Sequence, residues 1–305
     1  LGIFGSPWVG TIHFTHVFRD RAFFESVWKT LYINAGRIIF QFPVPILLAL
    51  MLNELRLGRY KRVVQTIFTF PHFLSWIIVA SIMIHILNSQ GMVNGIIRLF
   101  GWETVNFLGS TKIFLPLLYV TENWKSSGWV MIIYMAAIAG IDTEQYESAQ
   151  LDGASRLQQM WYITLPGIQT TIVVMFILSV GNLMTAGFDQ IFNISNAATA
   201  RAGEILDMYI YRITFQSAAD FSFSSAVRRI IPVTEKIGII LFHRERNENM
   251  QQDAGHSPGI RKRKLETLDI VILIILTSLA LAIVLPFVNV IAISFATQQE
   301  YLKSS

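Results

Sequence analysis

The sequence contains no cysteine. Disulfides, thiolate metal sites and a thiol nucleophile are therefore excluded. Charge is scarce too. Asp, Glu, Lys and Arg make up 14% of the 305 residues, against about 25% in a typical soluble protein. No Gly-x-x-x-x-Gly-Lys-Ser/Thr loop occurs, so the chain has no usual cradle for ATP phosphates. No Ser–His–Asp arrangement or paired-carboxylate pattern stands out, and His72 and His85 are not at a metal-ligand spacing. Residues 1–27 hold no signal peptide, because no continuous apolar core follows a basic start. Internal repeats and low-complexity tracts are missing as well. What is present is apolar: 53% hydrophobic residues with 22 Phe, and a mean hydropathy of +0.49. An ordinary soluble globule and a disordered chain both conflict with this composition. An all-α polytopic membrane protein fits it, since helices satisfy their own backbone in lipid. The net charge of +4 is small, and reads as loop charge facing anionic lipid rather than a nucleic-acid footprint.

A membrane helix needs about 20 mostly apolar residues. Five stretches meet that length: Trp28–Leu52, Val63–Leu87, Ile113–Ala139, Gly167–Phe188 and Val271–Ala292. The first is interrupted by Arg37, Gln41 and Pro43-Val44-Pro45. The third contains Glu122 and Lys125, and the fourth contains Gly181-Asn182. A sixth stretch, Ala226–Phe242, has the spacing of a span but carries Arg228, Arg229, Pro232, Glu235 and Lys236. Each charge near the bilayer centre costs about 2.5–3.5 kcal/mol, so this stretch is a poor span. The expectation is five to six transmembrane helices.

Lys and Arg in short loops set the orientation. The loops Asn53–Arg62 and Arg244–Thr267 are rich in both, and should be cytoplasmic. Counting spans between them makes Gly140–Leu165 cytoplasmic too, with residues 1–27, 88–112 and 189–224 outside. The alternation holds only if Ala226–Phe242 crosses.

The informative cytoplasmic stretch runs from Gly140 to Pro166. Asp142 suits an N-cap, with Gln145 completing a capping box, and Glu144 and Glu147 suit the first turns. Gly153 should end this helix. Ala154–Tyr162 should form a second one, and Pro166 should open the next span. Glu147-Ser148-Ala149, three residues, Gly153, nine residues, then Ile163-x-Leu165-Pro166 resembles the EAA loop of ATP-binding cassette importer permeases. Six of the seven fixed positions match, Ser148 being the departure. Asn53-Glu54-Leu55-Arg56, Phe70–Trp76 and Gly187–Asn193 resemble the branch of that family that carries complex oligosaccharides, the alginate, oligogalacturonide and lipoprotein-type permeases.

This resemblance implies a type I importer transmembrane domain and a function without chemistry. The permease forms part of a pore that carries oligosaccharides or related sugars across the bacterial cytoplasmic (inner) membrane, as a multi-pass protein. Its implied partners are a second permease subunit, an ATPase dimer, an extracytoplasmic sugar-binding protein and membrane lipids, with no nucleic acid. ATP is bound by the ATPase subunits, so no cofactor and no metal belong to this chain. The resemblance assigns coupling to the ATPase to Glu147, Ser148, Ala149, Asp152, Gly153, Ile163, Leu165 and Pro166. Polar residues inside a membrane are functional candidates by default, and sugars stack on aromatic rings. Arg37, Gln41, Asn123, Trp124, Lys125 and Asn182 are therefore the substrate-path candidates. Arg37 and Lys125 would suit an acidic sugar, and Glu122 and Lys125 could pair within a helix turn.

The resemblance covers roughly residues 1–227, and family members usually carry one more span before Leu1. The expected division is a transmembrane domain over 1–243, a basic linker over 244–267, and an extra span over 268–305. That last piece resembles the N-terminus of the partner permease, which points to a fusion of two neighbouring genes, the alternative being a genuine but divergent tail. Two other function classes compete. An ion-coupled secondary transporter should show repeats with broken helices in corresponding halves, and a non-transporting scaffold leaves the loop motif unexplained.

Overall fold

The computed structural model describes residues 11–55, 57–184, 187–216, 221–230 and 267–295. Most of Ala226–Phe242, the linker residues 244–266 and residues 296–305 lie outside the described residues.

Every regular element among the described residues is helical. The chain opens with α1 (Ile12–Val17) and α2 (Arg21–Gln41), which Asp20 caps by accepting from the Ala22 N–H at 2.8 Å. The run Pro43-Val44-Pro45 interrupts less than its composition suggests. Phe42 keeps helical dihedrals and donates to the Ile38 carbonyl. Pro43 then opens α3 (Pro43–Glu54) at a position where its missing N–H costs nothing. The 34 residues Arg21–Glu54 are long and apolar enough to cross a membrane as one unit.

The expected span Val63–Leu87 is broken. Its first part is α4 (Gly58–Thr69), followed by a 3₁₀ turn, Phe70–Phe73. Pro71 cannot donate to the preceding turn. Ser75 then caps α5 (Trp76–Leu87), which α6 (Met92–Leu99) extends. The apolar stretch of spanning length is consequently Trp76–Leu99. The long α7 (Thr111–Ala139) covers the third expected span. Next come α8 (Thr143–Leu151) and α9 (Arg156–Gly167), the latter containing a π turn at Met160–Thr164. The π turn sits just before Pro166, whose missing N–H removes a ladder bond there. A bend of 58° leads into α10 (Gln169–Gly181). Helices α11 (Phe188–Ile194), α12 (Leu206–Tyr211), α13 (Phe221–Ile230) and α14 (Thr267–Phe295) complete the described chain. By length and composition, three helices among the described residues can span, or five if each bent pair is one span.

The main core packs α3 along α7. Leu48, Ala49 and Leu52 meet Met131, Tyr134 and Ile138. Backbones of α4 and α7 touch at Gly128, where a Cβ would collide with the Phe68 carbonyl. Small residues at such crossings are how helices approach closely without water to drive them together. The C-terminal α14 is part of this core rather than an appendage. Leu276 is fully buried, Tyr60 and Thr277 share a hydroxyl hydrogen bond, and Phe287 lies 5.3 Å from the Phe70 ring.

The bundle has two chemically distinct ends. Glu54, the α8–α9 pair and Asp269 near the start of α14 meet at one. At the other, the Asn196 amide donates to the Leu108 carbonyl at 2.7 Å and the Lys29 ammonium to the Arg201 backbone carbonyl at 2.8 Å. The Lys/Arg-rich loop Asn53–Arg62 therefore adjoins the end where α3 finishes and α14 begins.

Candidate functional site

Two arrangements are candidates for a functional site. The first is the α8–α9 pair. Asp142 caps α8 by accepting from the Glu144 N–H at 3.0 Å. The reciprocal capping box forms not there with Gln145 but on α9, where Ser155 and Gln158 exchange bonds. Serine and glutamine at that spacing are a box signature in their own right, so this signal was readable. Gly153 adopts φ +80°. The Gly153 N–H donates to Gln150 and the Ala154 N–H to Ala149, at 3.1 and 2.9 Å. That is a Schellman ending, for which glycine is the favoured residue.

Helix α8 has no buried residue. Glu147, Ser148, Asp152, Gly153 and Pro166 are exposed, whereas Ala149, Ile163 and Leu165 are half-buried. Leu151 is 90% exposed and Tyr162 79%. A polar helix flanked by bare apolar side chains suits a partner rather than the core. Arg156 ties the pair to the bundle. Its guanidinium reaches Glu54 at 2.9 Å and Asp269 at 2.8 Å. Burial works against its charge, but the hydrogen bond to Asp269 and the attraction of both carboxylates outweigh that and raise its pKa. Neither Arg156 nor Asp269 stood out in the sequence, because nothing local links positions 113 apart.

The second arrangement is a cavity of about 390 Å³ between α2, α3, α5, α7, α10 and α11. That volume falls in the range of small-molecule sites. Arg37, Gln41 and Asn182 line it, as do Glu122, Asp189 and Gln190. Arg37 is 5% exposed. It donates to the Gln190 side-chain carbonyl, and its Nε has no partner among the described residues. Gln190 is oriented in turn by donating to Leu118 and Thr121 at 2.7 and 2.8 Å. Gly187, at φ +106°, lets the backbone pass directly against the guanidinium.

Asn123, Trp124 and Lys125 do not line this cavity. Asn123 donates to the Tyr119 and Phe40 carbonyls, and Trp124 stacks on Phe287 at 5.5 Å. Lys125 donates to the His72 carbonyl at 2.9 Å and lies over Trp76. Glu122 accepts from Ser126 at 2.7 Å instead of pairing with Lys125. Helical spacing explains the division: neighbours 122 to 125 fan around α7, so only one face reaches the cavity. Asp189 and Gln190 were visible in the Gly187–Asn193 run but carried no sign that they would line a cavity with Arg37.

A helical bundle with a polar cavity between its helices and a bare helix pair at one end is the architecture of a transport permease. The chain belongs to the family of binding-protein-dependent transport system inner membrane components, whose model matches residues 41–220. It is 44% identical over 228 residues to the polygalacturonan/rhamnogalacturonan transport system permease protein YteP of Bacillus subtilis, covering 74% of this chain and 71% of that one. It is 39% identical over 242 residues to protein LplB of the same organism, covering 79% and 75%. Among solved structures, a bacterial ABC transporter that imports the acidic polysaccharide alginate superposes with a TM-score of 0.74 at 35% identity. That match covers 82% of this chain and 87% of that one. The fold is therefore that of an ABC importer permease, and the chain is a permease subunit of such a transporter.

Proposed function

We propose that this permease forms half of a pore that admits oligosaccharides containing uronate units. The observation that carries this reading is the cavity: one buried guanidinium, two carboxylates and several amides in a bundle of otherwise apolar helices. A sugar carboxylate would face Arg37, while Glu122 and Asp189 would accept from hydroxyls. The relatives' own substrates, polygalacturonan and alginate, support the same class.

A second permease would supply the other half of the pore. An ATPase dimer would seat on α8–α9 through Glu147, Ser148, Ala149, Asp152 and Gly153, with Ile163, Leu165 and Pro166 carrying the motion into α10. ATP would be held by those subunits alone, and a binding protein would deliver sugar from outside. The membrane would be the bacterial inner membrane. The test is reconstitution with ATPase, second permease and binding protein. Labelled oligogalacturonide should be taken up only with ATP, and a neutral oligosaccharide of equal length at least tenfold more slowly. Uptake driven by an ion gradient without the ATPase would overturn the reading in favour of a secondary transporter.

The orientation has its own check. With no native Cys, Ser148→Cys should resist an impermeant thiol reagent added outside intact cells and react once the membrane is opened. Labelling from outside would reverse the orientation.

A further inference from the structure

We infer that Arg156 is a positioning residue that transmits movement of the α8–α9 pair to the cavity, by gripping the far end of α3. The inference rests on the functional reading above, in which that pair meets the ATPase and the cavity holds sugar.

Arg156 is the first residue of α9, and the Ser155–Gln158 box fixes the direction in which that helix starts. From there the guanidinium reaches across to α3. Its Nε donates to Glu54 Oε2 at 3.0 Å and its Nη2 to the Glu54 backbone carbonyl. Nη1 donates to Asp269 of α14 at 2.8 Å. The three side chains are 15%, 13% and 1% exposed. Arg156 therefore holds both the side chain and the main chain of the last residue of α3.

Helix α3 is suited to carry a displacement. It is 12 residues long, or about 18 Å at the helical rise. At its other end Phe42 and Pro45 line the cavity, beside Arg37 and Gln41. Between the ends it lies against α7 along Leu48, Ala49 and Leu52, so a push on Glu54 moves the helix as a body. The covalent route from α9 into α10 passes a π turn and a 58° bend. Both are sites where a helix yields. The ion cluster is the stiffer link.

Stability alone does not account for the cluster. A cation in the first turn opposes the helix dipole, and buried ion pairs are often no more stabilising than apolar packing of equal volume. What a bidentate guanidinium supplies is direction and register.

The full importer tests this. A Gln41→Cys background reports on the cavity by its rate of thiol labelling. In that background a non-hydrolysable ATP analogue bound to the ATPase should change the labelling rate at least threefold. With Arg156→Gln added, the ATPase should co-purify in full amount, the labelling change should vanish, and uptake should fall at least tenfold while ATP hydrolysis continues. Arg156→Lys keeps the charge but not the fork, and should be intermediate; it also serves if the Gln variant inserts poorly. With Gln41 native, Glu54→Cys with Arg156→Cys, joined by a short reducible bifunctional thiol-reactive reagent, should regain coupled uptake and lose it on reduction. A nucleotide response that persists in Arg156→Gln overturns the inference, as does a bridged pair that stays uncoupled. The same holds if Gln41→Cys alone shows no nucleotide response. An importer that never captures an ATPase overturns the functional reading instead.

Discussion

Gly153→Val should abolish coupled uptake while the chain still inserts and still binds its ATPase. The reason is confined to the backbone. Gly153 sits at φ +80°, and a Cβ added there would meet nothing within 4 Å. Crowding therefore plays no part. The cost is that of a β-branched residue in the left-handed region, about 1–3 kcal/mol. That strain is relieved by undoing the Schellman ending, whose bonds from Gly153 and Ala154 set the angle between α8 and α9. Helix α8 has no buried residue to hold it otherwise. ATP hydrolysis by the reconstituted complex should lose its stimulation by loaded binding protein, and uptake should drop more than tenfold. Gly153→Asn should keep at least half of parental uptake, because asparagine tolerates this conformation and the space is open. Full stimulation and normal uptake with the valine would remove residues 142–166 as the coupling element.

Gly187→Val should eliminate uptake by a different route, and asparagine should not rescue it. Here φ is +106°, outside the small left-handed well that asparagine tolerates. A Cβ would also fall 2.6 Å from Arg37 Nη2 and nearer still to Nη1. The guanidinium would have to leave Gln190, and a hydrogen bond to a charged group contributes about 1.5–3 kcal/mol. Uptake should fall at least a hundredfold for Gly187→Val and about tenfold for Gly187→Ala. Labelling of a Cys at Ser148 should be unchanged, since the α8–α9 pair lies at the other end of α3. Parental uptake in Gly187→Val would mean that the position of Arg37 does not matter to the substrate.

The contrast between these two glycines marks how far local sequence reaches. Gly153 was legible: an acidic helix start, a glycine ten residues on and a second cap describe a helix–turn–helix without reference to anything distant. Gly187 was not, because its constraint comes from an arginine 150 positions earlier. The polar residues inside the spans divide in the same way. Composition singled out Arg37, Gln41 and Asn182 together with Asn123, Trp124 and Lys125, and only the first three line the cavity. A polar side chain in an apolar stretch signals a need for a partner, and whether a carbonyl or a ligand meets that need depends on the helix beside it. For Lys125 it is the His72 carbonyl, bared by the 3₁₀ turn at Pro71.

By itself, the sequence determined the class of solvent, the number of long apolar segments and the motif of the exposed loop. All three follow from side-chain polarity and short-range spacing, which act within a few turns of helix. Tertiary structure alone decided that α14 enters the core beside Tyr60 and Phe70, and that Glu54, Arg156 and Asp269 form one buried cluster. Those outcomes depend on which helix faces supply missing hydrogen bonds and countercharges at short range. In a low-dielectric interior an unpaired group is so costly that the packing, not the local sequence, selects its partner.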